Sequence, residues 1–314
     1  MTILSAANSS VNYPIIRIPD GARNASVAFL SINGGAHAHG ARGADGILIG
    51  RNTTNIRVFH TEVYRAADNG IESNGRGTDI FDNYIHGNYS NGIYVIGSAM
   101  GRAAGVRVHH NLVVGNSVGN LPPRRPSWDG IDVDPITADC EISHNILIGN
   151  DIILFEDQQI VSESRGHRVS RNLILGSPEN GIDVSGAVNG YQIAENRIYG
   201  TIGDGILLTG PQSAALVTGN TIDGATRYGI MVENHLAKSQ PGAPAHLRVI
   251  SNTIAVRHNY HWLRAIRVKD GAHDVLIEGN RIIADPNLGT SYYIQTSGSG
   301  LGIRENENVL TNAP

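Results

Sequence analysis

The sequence predicts an all-β solenoid, a stack of coils in which each coil holds three short strands. Three observations predict it. The pattern apolar-x-apolar-x-x-Asn-x-apolar recurs along the chain, and a second block of the form x-Gly-Ile-x-apolar follows each copy. The spacing is also nearly regular, with Asn172, Asn196 and Asn220 each 24 residues apart. Self-similarity at such a period marks a repeat architecture, and alternation with period two marks its elements as strands.

Taken in order, the first block reads VRVHHNLVVGN (106–116), CEISHNILIGN (140–150), HRVSRNLILGS (167–177) and YQIAENRIYGT (191–201). It continues as ALVTGNTIDGA (215–225), LRVISNTIAVR (247–257) and VLIEGNRIIAD (275–285). Asn83, Asn111, Asn145, Asn172, Asn196, Asn220, Asn252 and Asn280 fall in one column. Asparagine suits a tight turn, because it tolerates left-handed geometry and its amide can bond to neighbouring coils. The spacing therefore predicts an asparagine ladder. The second block reads NGIESN (69–74), NGIYVIG (91–97), DGIDVDP (129–135) and NGIDVSG (180–186), then DGILLTG (204–210), YGIMVEN (228–234) and RAIRVKD (264–270). One such unit cannot bury its apolar face alone, whereas stacked units share a core. Helical repeats such as ankyrin and TPR are excluded by the alternation, and propeller blades by the short period.

These motifs resemble the right-handed parallel β-helix of the pectin lyase-like superfamily, over roughly residues 45–310. The resemblance implies a single-stranded, three-sheet solenoid of about ten coils, from ADGILIG (44–50) to TSYYIQT (290–296). No composition break divides the coils, so one domain over 1–314 is expected, with 1–44 as N-terminal cap or first coil and 45–310 as regular coils. Neither end shows an amphipathic helix to cap the stack, and the chain is read as a trimmed piece of something longer.

Composition narrows the function. Charged residues are 17% and glycines number 38, which suits many short strands and turns. A net charge of −4 with no basic stripe argues against a nucleic-acid partner. No apolar run reaches the roughly 18–20 residues that span a bilayer, so no membrane partner is expected. The start, Met1-Thr-Ile-Leu, lacks the features of a signal peptide. An extracellular or periplasmic location is expected on the premise that a leader has been removed. The single cysteine, Cys140, rules out an internal disulfide framework and falls in an apolar column, where it should be buried. The sequence does not indicate an oligomeric state.

The segment SWDGIDVDP (127–135) carries Asp129, Asp132 and Asp134. Ile131 and Val133 read as inward, so Asp132 and Asp134 read as outward. Along the stack the first outward column runs Glu72, Tyr94, Asp132, Leu154, Asp183, Leu207, Met231, Arg267, Tyr293. The second runs Asn74, Ile96, Asp134, Glu156, Ser185, Thr209, Glu233, Lys269, Gln295. With coils about 4.8 Å apart, Asp132, Asp134, Glu156 and Asp183 share one patch. Three uses of it are open: a solvated acidic face, a Ca²⁺ site with oxygen ligands, or catalytic carboxylates with a raised pKa among them. No other cofactor is expected.

Long loops at 119–129, 157–167 and 234–246, with a shorter one at 257–264, flank this face as two walls. Trp128 and Trp262 suit stacking on sugars, or else fold onto their own loops. Arg124 and Arg125 are candidates to clamp an anionic sugar, or else are solvated. Tyr94, Glu233, Arg267 and Lys269 complete the candidate substrate contacts, with Arg267 and Lys269 set to pair with Glu233 and Asp270 or to line a distal subsite. His110 and His144 stack beside Asp82 and read as a solvated turn column rather than a metal site.

Locally, W-D-G-I-D resembles the N-T-D-G-[FI]-[DH] motif of polygalacturonase-type glycoside hydrolases, which places Asp129 on an acidic position. Arg-Val-Lys at 267–269 is similar to their R-I-K motif. Arg267 lies five coils on rather than three, and the G-H-G histidine is absent, so only the superfamily is kept. The strand also resembles the G-F-D-P-H strand of mannuronan epimerases, with Asp132 on its Asp and Asp134 in place of its His. Hydrolysis needs two carboxylates, and residues i and i+2 of a strand lie about 6.6 Å apart, within the inverting range. The expected function is thus an inverting endo-glycoside hydrolase on a polysaccharide, with Asp132, Asp134, Glu156, Asp183 and Asp129 as catalytic candidates. A lyase or C5-epimerase in the same groove is the alternative. A non-catalytic adhesin, tailspike or carbohydrate-binding β-helix is the second.

Overall fold

In the computed structural model of the chain, the described residues are 2–5, 13–35, 44–98, 101–118, 129–134, 136–155, 164–234, 243–257, 264–269, 271–284, 293–297 and 304–312. Among them every regular element is a strand, and every strand pair recorded between named strands is parallel. The strands fall into two compact units, Met1–Ile153 and Leu154–Pro314, and the division lies inside strand Asp151–Phe155.

The first unit winds through three parallel sheets. Strands Ile16–Ile18, Ile47–Ile49, Ile71–Ser73, Ile93–Val95 and Asp129–Val133 follow one another in the sheet built from the x-Gly-Ile block. The Asn-motif block supplies the other two sheets, through pairs such as Arg107–His109 on Glu141–Ser143 and Leu112–Val114 on Ile146–Ile148. Residues 13–33, expected as a cap or first coil, form a coil, since Ile16–Ile18 pairs with Ile47–Ile49 and Arg23–Ala28 with Thr54–Phe59. The second unit repeats the plan from Ser164–Arg165 to Val309–Asn312.

The core is the inward set of the alternation. Ile71, Ile93, Ile131 and Val133 are at most 1% exposed in the first unit, as are Ile182, Val184, Ile206 and Ile230 in the second. Cys140 is buried with them, and burial pushes its thiol up to about 12, so it stays protonated at neutral pH.

The asparagine column forms the ladder. Asn83 N donates to Asn111 Oδ1 at 3.1 Å and Asn111 N to Asn145 Oδ1 at 3.0 Å. In the second unit the same bond links Asn172, Asn196, Asn220, Asn252, Asn280 and Asn308 in turn. The residue before each ladder Asn is left-handed, as at Asp82 (φ 54°), His110 (φ 57°) and Glu195 (φ 57°). A second ladder, absent from the sequence reading, joins Asn88, Asn116 and Asn150 at the turn that precedes the x-Gly-Ile strand.

The glycine of that strand has a packing reason. A Cβ on Gly70 would lie 2.6 Å from Gly92 O, and one on Gly92 would lie 2.6 Å from Gly130 O. The coils approach too closely for a side chain there.

Two expected registers need correction. In DIILF (151–155) Leu154 is 1% exposed and faces the core, while Ile153 is half-buried and takes the outward place. At the last coil Arg267 pairs with Gln295 rather than Tyr293. Met231, expected outward, pairs in register with Leu207 and Arg267 but is fully buried.

Candidate active site

The acids expected on the outer face come together in the first unit, and they are less exposed than the alternation implies. Asp132 lies between core residues Ile131 and Val133, so its side chain leaves the core, yet it is only 8% exposed. Asp129 is 6% exposed and Asp134 half-buried. Asp132 is in register with Tyr94 on the neighbouring coil, and the Tyr94 hydroxyl donates to Asp134 Oδ2. Asp134 N donates to Val95 O at 2.8 Å, which fixes the residue just past the strand end.

Asn91 Nδ2 donates to Asp132 Oδ2 at 3.1 Å. Asp132 Oδ1 is buried with no hydrogen-bond partner among the described residues. Burial, followed by the negative charges of Asp134, Asp129 and Asp151, holds the Asp132 carboxyl well above the usual carboxylate range. Only the Asn91 bond opposes the shift. The Tyr94 phenol is also pushed far up, first by burial and then by Asp132 and Asp134, so it keeps its proton.

A comparison of coils explains why Asp132 differs from its equivalents. In the second unit Asp183 is flanked by donors: Asn180 Nδ2 donates to its Oδ2 at 3.0 Å and Ser185 Oγ to its Oδ1 at 2.7 Å. Glu72 likewise accepts from Asn74 Nδ2 at 2.7 Å and Asn69 Nδ2 at 3.4 Å. Three residues before Asp183 and Glu72 stands an asparagine; three residues before Asp132 stands Asp129. A charge replaces a donor at that place. Burial raises Asp183 as well, but its two hydrogen bonds act against the rise.

Asp151 was not foreseen as a member of the site. It is 1% exposed and close enough to Asp132 to raise its pKa. The signal was present, because NDIIL (150–154) puts an aspartate where NGIYV, DGIDV and NGIDV have glycine.

The remaining candidates divide between the second unit and undescribed positions. Lys269 Nζ pairs with Glu233, as expected. Arg267 does not pair with Glu233; its Nη1 donates to Tyr228 OH at 3.0 Å and its guanidinium lies 5.5 Å from that ring's centroid. Glu156, Trp128, Arg124, Arg125, Trp262 and Asp270 lie outside the described residues. A surface depression of about 460 Å³ in the second unit is lined by Arg171, Glu195, Arg197 and Thr221, and holds none of these acids. Among the described residues no group of three or more His, Cys, Asp or Glu is arranged to hold a metal ion.

Parallel three-sheet coils closed by asparagine ladders define the β-helix class. The chain belongs to the family described as "right handed beta helix region", whose model matches residues 129–309. A comparison with the curated proteins in sequence finds no match. Among solved structures the chain is similar to the A-module of the Azotobacter vinelandii mannuronan C-5 epimerase AlgE4. They are 16% identical with a TM-score of 0.68, over 93% of this chain and 77% of that one. It is also similar to the tailspike protein of E. coli bacteriophage HK620 in complex with a pentasaccharide, at 11% identity and a TM-score of 0.62, over 98% of this chain and 58% of that one. A single mutant of the periplasmic alginate epimerase AlgG matches at 13% identity and a TM-score of 0.60, over 93% of this chain and 62% of that one. At these identities the likeness concerns the fold.

Proposed function

We propose that the chain is a polysaccharide-active enzyme that hydrolyses internal glycosidic bonds, with Asp132 as general acid and Asp134 as general base. One observation carries the reading: the Asp132 carboxyl is buried and raised, first by that burial and then by neighbouring carboxylates, two residues from a half-buried carboxylate held by a tyrosine. Asp132 would give its proton to the leaving oxygen as the C1–O bond breaks. Asp134 would take a proton from the attacking water. Residues i and i+2 of a strand leave the same face with backbones about 6.6 Å apart, a spacing from which two carboxyls can hold a water between them as inversion requires. Tyr94 and Asp134, the more exposed members, mark the side from which substrate would approach.

The charge of the site favours a neutral glycan. Among the described residues the charges that raise Asp132 are three carboxylates, which would repel an anionic sugar and stabilise a developing oxocarbenium ion. A second reading rests on the Tyr94–Asp134 bond: β-elimination or C5-epimerisation, with Asp134 abstracting the proton, since Tyr94 keeps its own. The epimerase neighbours make this worth testing, and the tailspike neighbour does the same for oligosaccharide binding without turnover. A periplasmic or extracellular location would bring the chain to such substrates.

The test is a panel of neutral and uronate polysaccharides, followed by reducing ends and by ultraviolet absorbance of unsaturated ends together. Hydrolysis gives new reducing ends alone; elimination gives both. Epimerisation gives neither and changes the uronate proton spectrum. Binding without any of the three changes would replace the enzyme reading by the binding one.

A further inference from the structure

Away from the acidic strand face, a turn of the first unit brings two imidazoles together. His109 ends strand Arg107–His109 and His110 follows it in the turn before ladder residue Asn111. Side chains of adjacent strand residues point to opposite faces. Here the left-handed conformation of His110, φ 57°, reverses the chain, and His109 Nδ1 comes to lie 2.9 Å from His110 Nδ1. The two rings are nearly perpendicular, at 86°, so their nitrogen lone pairs can converge without the rings stacking.

The far side of His109 is fixed. Its Nε2 lies 2.8 Å from Asp79 Oδ1, and Asp79 Oδ2 accepts from Arg107 Nη2 at 2.8 Å. An ionised carboxylate can only accept, so Nε2 carries the proton and Nδ1 of the neutral ring presents a lone pair. Phe81 stacks on the His109 ring, 5.2 Å between centroids and 5° between planes, which holds the ring's plane. A carboxylate behind a histidine that presents its other nitrogen is the arrangement that orients metal-ligating imidazoles. His110 is exposed, its ring stacks on His144 with 4.9 Å between centroids and 3° between planes, and a neutral imidazole can carry its proton on Nε2 instead of Nδ1.

We propose that His109 and His110 form a bidentate site for a tetragonal transition-metal ion, copper(II) above all, with Asp79 as the positioning residue. Distance selects the geometry. Two metal–nitrogen bonds of about 2.0–2.1 Å at a right angle set the nitrogens about 2.9 Å apart, whereas a tetrahedral angle sets them about 3.4 Å apart. The 2.9 Å separation fits the right angle, which square-planar copper(II) or nickel(II) prefers. On binding, the proton on His110 Nδ1 moves through solvent to Nε2, both lone pairs face the ion, and water fills the remaining positions. Asp82 lies one coil below His110 in the same column, while Arg107 pairs with Asp79 and the Arg57 guanidinium lies 5.0 Å from the Phe81 ring centroid.

The experiment uses the full chain without a histidine tag and titrates it with copper(II), followed by calorimetry and electron paramagnetic resonance. The expected result is one equivalent bound, with an axial spectrum showing two coupled nitrogens. His110→Asn, which keeps the left-handed turn, and His109→Gln each weaken binding at least about tenfold and remove one nitrogen coupling. Asp79→Asn weakens binding by about 10–100-fold while both couplings remain. His246→Asn, which changes an exposed histidine of the second unit, leaves binding as it was. Copper binding that survives His110→Asn unchanged overturns the proposal, and so does a wild type that binds no equivalent. In either case the 2.9 Å contact is a hydrogen bond only.

Discussion

Asp45, Asp132 and Asp183 are carboxyls of one solenoid placed in different company, and their company decides what each can do. Asp45 Oδ1 accepts from Asn69 N and Nδ2, both at 3.1 Å, yet burial and then the charges of Glu72 and Asp68 push the group up to about 8. Its folded pKa lies above the unfolded value, so the folded chain holds a proton that the unfolded chain releases. The stability this group contributes is therefore fully present below about pH 4 and falls as pH rises toward 8. Asp45→Asn keeps the acceptor and removes the charge. Its melting temperature should match wild type near pH 4 and exceed it near pH 9; an unchanged difference across that range would show that Asp45 is ionised throughout. For catalysis the raised Asp132 carboxyl sets the sign: turnover should be lost as pH rises through its titration, because the acid form is the working one. A rate that climbs with pH across that limb would assign Asp132 to the base role instead.

At the scale of the element, ladders and glycines fix the strands. Asn196 donates through its N and Nδ2 to Asn220 Oδ1, at 3.0 Å each, and through Nδ2 to Val169 O at 2.9 Å. Asn196→Ala should cost about 1–3 kcal/mol in denaturant unfolding, since buried turn groups lose their partners; an unchanged midpoint would make the ladder ornamental. Gly205→Ala should cost about as much through overpacking. Its new Cβ would meet Ile222 Cγ2 at 2.4 Å and Gly229 O at 2.6 Å, the latter a backbone atom that cannot rotate away.

Much of this was legible in the sequence. The asparagine column and the Gly-Ile strands could be read because turn chemistry and period-two burial leave residue-type signatures. What could not be read has a physical reason too. Ile152, Ile153 and Leu154 are all apolar, so alternation gives no phase there, and Leu154 was assigned outward although it is core. Tyr292, Tyr293 and Ile294 blur the last register in the same way. The burial of Asp132 was hidden because a strand pattern reports which way a side chain leaves the backbone. It does not report what packs over it.

For the whole molecule, the described carboxyls raised by burial include Asp45, Glu72, Asp132, Asp183 and Asp204, the last to about 6. His167 opposes them, because burial lowers it to about 4 and costs stability as pH falls below its unfolded value. Five groups against one give a protein more stable near pH 5.5 than near pH 8.5, which a melting series across that range checks. A calcium ion held by the acids would reverse the balance at high pH. EDTA should accordingly leave melting and turnover unchanged if the acids work as acid and base, and should lower both if they hold calcium.

The acid–base assignment meets its most direct test in the turnover of Asp132→Asn and Asp134→Asn on a polysaccharide that the wild type cleaves, with the melting temperature of each variant recorded alongside. Both variants should fold, and Asp132→Asn should melt at or above the wild-type temperature near pH 8, because the folded chain no longer has to hold a proton there that the unfolded chain releases. Each should lose about 10²–10⁴-fold in turnover, the usual contribution of a general acid or base, while Asp183→Asn in the second unit should lose far less. If both single variants turn over at near wild-type rate, the acids on this strand are not the catalytic pair.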